Sequence, residues 1–156
     1  MGYFASQFFD GYRLLNNVVF TVQNGRIASV TPDAEPGQHD VLDGLIMPAM
    51  VDVQVNGGGG VQFNEAPVAE SLLQMSRAYL TTGTGSIMPT LITGDIAVMS
   101  AGADAIAEAH RADPAAIPGV HFEGPHLSQV KKGMHSSSFI RPLSDEEFAV
   151  FTRKDL

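Results

Sequence analysis

Two short segments of this chain carry the residues best suited to chemistry. Val51-Asp52-Val53-Gln54-Val55-Asn56 runs directly into the glycines Gly57 to Gly60. Val120-His121-Phe122-Glu123-Gly124-Pro125 leads on to Lys131-Lys132-Gly133-Met134-His135. Each is a β-rich run that stops at glycine and holds polar side chains at alternate positions. Alternation places Gln54 and Asn56 on one face of a strand, and His121 and Glu123 on one face of another. Aligned polar pairs are costly in a buried strand, because every such group needs a partner. At the ends of parallel strands they are where a barrel enzyme builds its site.

Each residue has a chemical reading and a plainer one. Glu123, at a strand end before Gly124-Pro125, suits a metal ligand or general base; the alternative is a structural ion pair. Gln54 and Asn56 would hydrogen-bond a water or substrate, or simply satisfy the backbone of the glycine loop. His135, in a long polar loop, is a candidate substrate contact or an exposed loop histidine. His121 shares the Glu123 face, yet a single histidine there reads more readily as a satisfied interior residue than as a ligand. His39 and His110 read as surface residues. Lys131 and Lys132 would draw an anion or stay solvated. The glycine run permits a sharp turn or close backbone approach. It lacks the Gly-Lys-Ser/Thr ending of a phosphate loop and the spacing of a dinucleotide fingerprint.

The elements that must position these groups fall into two parts. Asn17–Val22 and Arg26–Val30 read as strands joined by Asn24-Gly25, a dipeptide suited to a two-residue hairpin turn. Thr31 to Asp40 is rich in Pro, Gly and acidic groups and reads as a surface loop. From about Leu45 strands and helices alternate. A strand at 51–56 precedes a helix at about 67–82, where Val68, Leu72, Met75 and Tyr79 follow helical spacing and Pro67 suits the first turn. A strand at about 86–90, a helix at 95–111 and a strand at 120–123 follow. Ser144-Asp145-Glu146-Glu147 forms a capping box that opens a third helix. The order βαβαβα implies parallel strands with right-handed crossovers. Domains at 1–44 and 45–156 follow from this change of texture.

Composition narrows the function. The 156 residues suffice for a sizeable core. A net charge of −8 argues against a nucleic-acid surface. The absence of cysteine excludes disulfides, thiolate metal sites and a cysteine nucleophile. No apolar run reaches the length of a membrane span, and a secretory signal is not expected, since no basic segment followed by a long apolar stretch opens the sequence. Met1-Gly2-Tyr3-Phe4-Ala5-Ser6 matches a loose myristoylation pattern, but reads more simply as a first strand or arm.

The sequence also resembles a known family. Pro48-Ala49-Met50-Val51-Asp52-Val53-Gln54-Val55-Asn56-Gly57 is similar to the first barrel strand of N-acetylglucosamine-6-phosphate deacetylases, of the amidohydrolase superfamily. Pro89-Thr90-Leu91-Ile92-Thr93 resembles their second strand end. His121-Phe122-Glu123-Gly124-Pro125-His126-Leu127, with Lys131-Lys132-Gly133-Met134-His135, resembles their third strand and its loop. The resemblance implies an α/β chain: the N-terminal part of a TIM-type (β/α)8 metal-dependent hydrolase barrel, incomplete here, preceded by strands of a small β-sandwich. It implies hydrolysis of N-acetylglucosamine 6-phosphate to glucosamine 6-phosphate and acetate in amino-sugar catabolism. Glu123 matches the glutamate metal ligand, and Met134 and His135 match the pair that contacts substrate. Gln54 and Asn56 stand where many amidohydrolases have a His-x-His metal pair, implying one divalent metal, commonly zinc, with the amides positioning water or the acetamido group. His121 would support the site from behind. The partner is a small amino-sugar phosphate, with no nucleic acid and no membrane, and the complete enzyme is expected to be a cytoplasmic homodimer.

The family's proteins are more than twice as long as this chain. Two histidine ligands, the general-base aspartate and the phosphate-binding groups are expected beyond Leu156, with about three of the eight barrel strands present. Two alternatives stand beside the deacetylase reading. One is an inactive fragment serving as a binding or interaction module. The other is an amidohydrolase for another N-acyl sugar or a cyclic amide. An open β/α barrel leaves sheet edges and apolar strand faces uncovered. A sample verified by intact mass to end at Leu156 is therefore expected to be inactive, to bind zinc weakly and to self-associate. A monomer that melts cooperatively and releases acetate at enzymic rates would overturn that expectation.

Overall fold

The computed structural model describes residues 1–156. They form two compact units, Met1–Pro48 and Ala49–Leu156, and the chain is α/β. No helix is long and apolar enough to cross a membrane.

The first unit is a four-stranded sheet in the order β3-β2-β1-β4, built from β1 (Gly2–Phe9), β2 (Leu14–Gln23), β3 (Arg26–Thr31) and β4 (Asp40–Ile46). The β2–β3 hairpin turns at Asn24 and Gly25, with φ of 51° and 72°. Positive φ at both central residues is the turn whose twist matches the strands it joins. β4 pairs in parallel with β1, bringing Leu45 opposite Gln7 and Ile46 opposite Phe8. Ala5, Phe8, Val18 and Phe20 form the core. A groove of about 370 Å³ is lined by Phe8, Phe9, Asp10, Ile27, Val30, Ile46, Met47 and Pro48. Its one charged group, Asp10, already accepts the Tyr12 and Arg13 main-chain N–H groups. The groove is mostly apolar, and its one charged group is already engaged.

The second unit contains β5 (Met50–Val55), the short β6 (Gly57–Gly58) and β7 (Val61–Gln62), α1 (Ala69–Leu80), β8 (Thr84–Ile92), α2 (Ile96–Ala112), β9 (His121–Glu123) and α3 (Asp145–Phe151). β5, β8 and β9 make a parallel sheet with β8 in the middle. Ile87 and Leu91 of β8 and Val55 of β5 pack with Leu72 and Met75 of α1 and Ile106 of α2, all buried. Each large apolar side chain buried this way contributes roughly 1.5–3 kcal/mol. At Gly102 of α2 an added Cβ would strike the Leu91 side chain, so glycine permits the helix to lie close on the sheet. Asp95 caps α2 by accepting the Ala97 N–H. Val68 is extended and precedes α1 without a side-chain cap. Pro67 therefore lies ahead of the helix rather than in its first turn.

The glycine run has a local explanation. Gly57-Gly58 pairs with Val61-Gln62 in a miniature hairpin, and Gly59 and Gly60 turn it with φ of +60° and +87°. α1 lies directly on this hairpin. A Cβ at Gly58 would sit 2.6 Å from the Tyr79 ring. The Tyr79 hydroxyl donates to Gly57 O at 3.1 Å, and Gln74 Nε2 donates to Gly59 O at 2.8 Å.

α3 begins with the capping box expected from its sequence: Ser144 Oγ accepts the Glu147 N–H, and the Glu147 carboxylate accepts the Ser144 N–H. Glu147 is only 1% exposed. Its Oε1 receives Arg141 Nε at 2.7 Å, while Arg141 Nη1 reaches the carbonyls of Gly94 and Phe139. Burial pushes the Glu147 carboxyl up, but the Ser144 and Arg141 hydrogen bonds outweigh it and hold the group below its ordinary 4.5. A carboxyl held low in the folded state stabilises it above that ordinary value, and the contribution fades as pH falls through the folded one. Glu147→Ala is expected to cost about 1–3 kcal/mol, since it removes the partner of the half-buried Arg141 guanidinium and the cap of α3. Glu147→Gln should flatten the loss of stability on the acid side. Chemical denaturation at pH 7 and across the acid range checks both.

Candidate active site

Parallel pairing on both sides of β8 brings distant strand ends together. Val55 is paired with Pro89, Thr90 with His121 and Ile92 with Glu123. Asn56, one residue past β5, donates through Nδ2 to Glu123 Oε2 at 3.4 Å. His135 returns along the loop after β9 and sets Nε2 3.5 Å from Glu123 Oε1. Each carboxylate oxygen of Glu123 thus faces one polar side chain. The carboxylate is 30% exposed and the imidazole 14%, so the cluster is half-buried and open on one side.

Threonines support this cluster. Thr93 Oγ1 lies 2.8 Å from His135 Nδ1 and 3.3 Å from the Glu123 carbonyl oxygen. Thr90, fully buried, accepts the Val55 N–H at 3.0 Å and lies 3.2 Å from His121 Nδ1. One hydroxyl therefore ties β5, β8 and β9 together. Sequence reasoning gave neither threonine a role. The available signal was a polar residue alternating with Ile87, Pro89 and Leu91 in a largely apolar stretch, where a buried hydroxyl demands a partner.

The other candidates are placed as follows. Gln54 is exposed, and its side chain makes no hydrogen bond; its main-chain N–H donates to Asp52 Oδ1. Two residues of β5 bulge between the Asp52 and Val55 pairings, yet Gln54 and Asn56 still flank the buried Val55. Met134 is wholly exposed at the loop tip. His121 bonds Thr90 rather than Glu123. Lys132 donates to the carbonyl of His135 at 2.9 Å, closing the turn that carries it. His110 is not a free surface residue: it is half-buried, with Nδ1 2.8 Å from Ile117 O.

A carboxylate with an imidazole beside it suits a divalent metal in chemistry. Glu123 and His135 are nevertheless too few: no three His, Asp or Glu side chains converge, and a zinc site takes three or four protein ligands. No aspartate approaches the cluster as a base. Asp155 is held by Arg153, and Asp145 opens α3.

No protein-family model matches the chain. It is 42% identical over 123 residues to the N-acetylgalactosamine-6-phosphate deacetylase of Shewanella sp. (strain ANA-3), covering 79% of this chain and 31% of that protein. It is 31% identical over 150 residues to the N-acetylglucosamine-6-phosphate deacetylase of Haemophilus influenzae, covering 86% of this chain and 39% of the relative. The crystal structure of N-acetylglucosamine-6-phosphate deacetylase from Pasteurella multocida superposes with a TM-score of 0.84 at 28% identity, over 96% of this chain and 41% of that one. The chain is similar to an N-terminal portion of the N-acetylglucosamine-6-phosphate deacetylases. It spans between 31% and 39% of the length of these two curated deacetylases.

Within this portion of the deacetylase fold, Thr90 is the hydroxyl on which the sheet depends most. Thr90→Val keeps the shape but leaves the buried Val55 N–H without an acceptor and frees His121. A stability loss of about 1–3 kcal/mol is expected, measured by denaturant unfolding against Thr90→Ser, which should lose less.

Proposed function

We propose that the chain contributes part of the active site of an enzyme that hydrolyses N-acetylglucosamine 6-phosphate to glucosamine 6-phosphate and acetate. The observation that carries this reading is the convergence of Asn56, Glu123 and His135 at the ends of two parallel strands in a chain similar to these deacetylases. In this reading the parallel sheet is the start of a TIM-type (β/α)8 barrel, with the N-terminal strands, assigned to residues 1–44, belonging to a small β-sandwich and residues 45–156 to the barrel. Strand ends of such a barrel are its catalytic face.

Glu123 would hold one divalent metal, zinc in this reading, with further ligands supplied by the part of the relatives' length that lies outside these 156 residues. Such an ion supplies Lewis acidity that lowers the pKa of a nearby water. Asn56 fixes one oxygen of Glu123 and so orients the carboxylate. Gln54, exposed and without a side-chain hydrogen bond, is free to hydrogen-bond a water or the acetamido group. His135 and Met134 meet the substrate, with the His135 ring held at the edge of the cluster and Met134 projecting from the loop. His121, anchored on Thr90, stiffens β9 behind Glu123. The base is an aspartate outside the residues described. The same reading makes the complete enzyme a cytoplasmic homodimer.

A second substrate is favoured by one observation. The relative at 42% identity is named for the galacto epimer. N-acetylgalactosamine 6-phosphate is therefore the alternative, with the same bond broken.

The test uses the chain complemented to the length of its relatives. Acetate release from the two epimers, measured side by side, decides between them; release from neither sinks the proposal. Glu123→Ala should sharply reduce metal content and activity. His135→Ala should reduce turnover by about ten-fold or more, as the loss of one substrate hydrogen bond does, while leaving metal nearly intact. Elemental analysis should give one tightly held metal per chain, because amides at positions 54 and 56 are poor zinc ligands beside imidazole. Two metals per chain, or metal retained by Glu123→Ala, would contradict these assignments.

A further inference from the structure

We propose that Thr93 is a positioning residue whose hydroxyl aims the His135 ring, so that Nε2–H is presented to the substrate side of Glu123. The inference rests on the proposed role of His135 as a substrate contact.

Nothing covalent near His135 fixes its orientation. It sits within the long loop between β9 and α3, two residues after Gly133 with φ of +57°. Two contacts define the ring: Nδ1 to Thr93 Oγ1 at 2.8 Å, and Nε2 to Glu123 Oε1 at 3.5 Å. The second is long and depends on what else Glu123 binds. The first is short and made by a residue only 6% exposed. Thr93 follows β8 directly, so its hydroxyl is referenced to the central strand of the sheet.

Hydrogen-bond chemistry then assigns the protons. An ionised carboxylate only accepts, so the nitrogen facing it carries hydrogen. In the neutral ring Nδ1 is consequently an acceptor, and the Thr93 hydroxyl is its donor. The Glu123 carbonyl, at 3.3 Å, is the more distant neighbour of that hydroxyl. A partner at the second nitrogen fixing which nitrogen acts is a general property of histidine. The space for this contact is also built. At Gly124, where φ is +92°, an added Cβ would strike Thr93 Oγ1, so only glycine lets β9 end this close to the hydroxyl.

Three substitutions separate hydroxyl from shape. Thr93→Ser keeps the hydroxyl, Thr93→Val keeps the shape, and Thr93→Ala loses both. They are made in the chain complemented to the length of its relatives, with 15N-labelled histidine. Val and Ala are expected to lower kcat/KM about ten-fold with unchanged zinc content, and Ser to stay within about three-fold of the parent. The 15N shifts of the His135 ring, read without substrate, should show the Nε2–H tautomer in the parent and in Ser, and a mixture in Val and Ala. Should Val fail to fold, the Ser–Ala comparison isolates the hydroxyl. Parent-like ring shifts in Val or Ala overturn the proposal, as does a Ser variant as impaired as Ala. If the parent releases no acetate from either epimer, the functional reading fails, and the ring shifts alone still decide whether Thr93 sets the tautomer.

Discussion

Parallel pairing of β8 with a strand on each side is the constraint on which the candidate site depends. It sets Val55 beside Pro89 and Glu123 beside Ile92, so groups 67 residues apart meet at hydrogen-bond distance. Parallel strands require a crossover for each pairing, and burying the faces of α1 and α2 on the sheet provides the driving force. The polar groups then gather at the strand ends, because the middle of β8 is occupied by Ile87, Pro89 and Leu91 facing the helices. Thr90 is fully buried beside them, and it is tolerated because its hydroxyl is hydrogen-bonded.

The loop after β9 extends this logic. It is held near its start by the contact of Glu123 and Gly124 with Thr93, and near its end by Arg141 on Gly94 and Glu147. Both anchors reach the segment that follows β8. Between them the loop turns His135 inward and leaves Met134 wholly exposed. A half-buried ion pair is poor evidence of net stability; here its geometric effect matters more, since it ties α3 to the same segment that holds His135.

Much of this was legible in the sequence for identifiable reasons. Period-two and period-3.6 patterns marked the strands and helices of the second unit, and Asn24-Gly25 and Ser144–Glu147 were local signals whose geometry needs no tertiary help. The pairing of Asn56 with Glu123 was approachable because alternation put both on polar faces. β4 was not recognised: its residues Asp40–Ile46 carry Gly44 and two aspartates, and only parallel pairing with β1 makes them a strand. The roles of Thr90 and Thr93 were hidden because a threonine in a β-rich run is favoured by shape alone, and only the fold reveals which hydroxyls have partners. His110 misled for the opposite reason, since its helix position says nothing of the Ile117 carbonyl that returns to meet it.

The two-ended anchoring of the 124–143 loop separates its contour length from the location of its ends. Loop-closure entropy grows only slowly with added residues, so insertions between Gln129 and Lys131 would leave the registration of Glu123 on β8 untouched. The chain can thus vary the reach and chemistry of this arm without renegotiating the sheet beneath it. The chemistry the loop presents and the integrity of the strand ends are, in this architecture, separately adjustable properties.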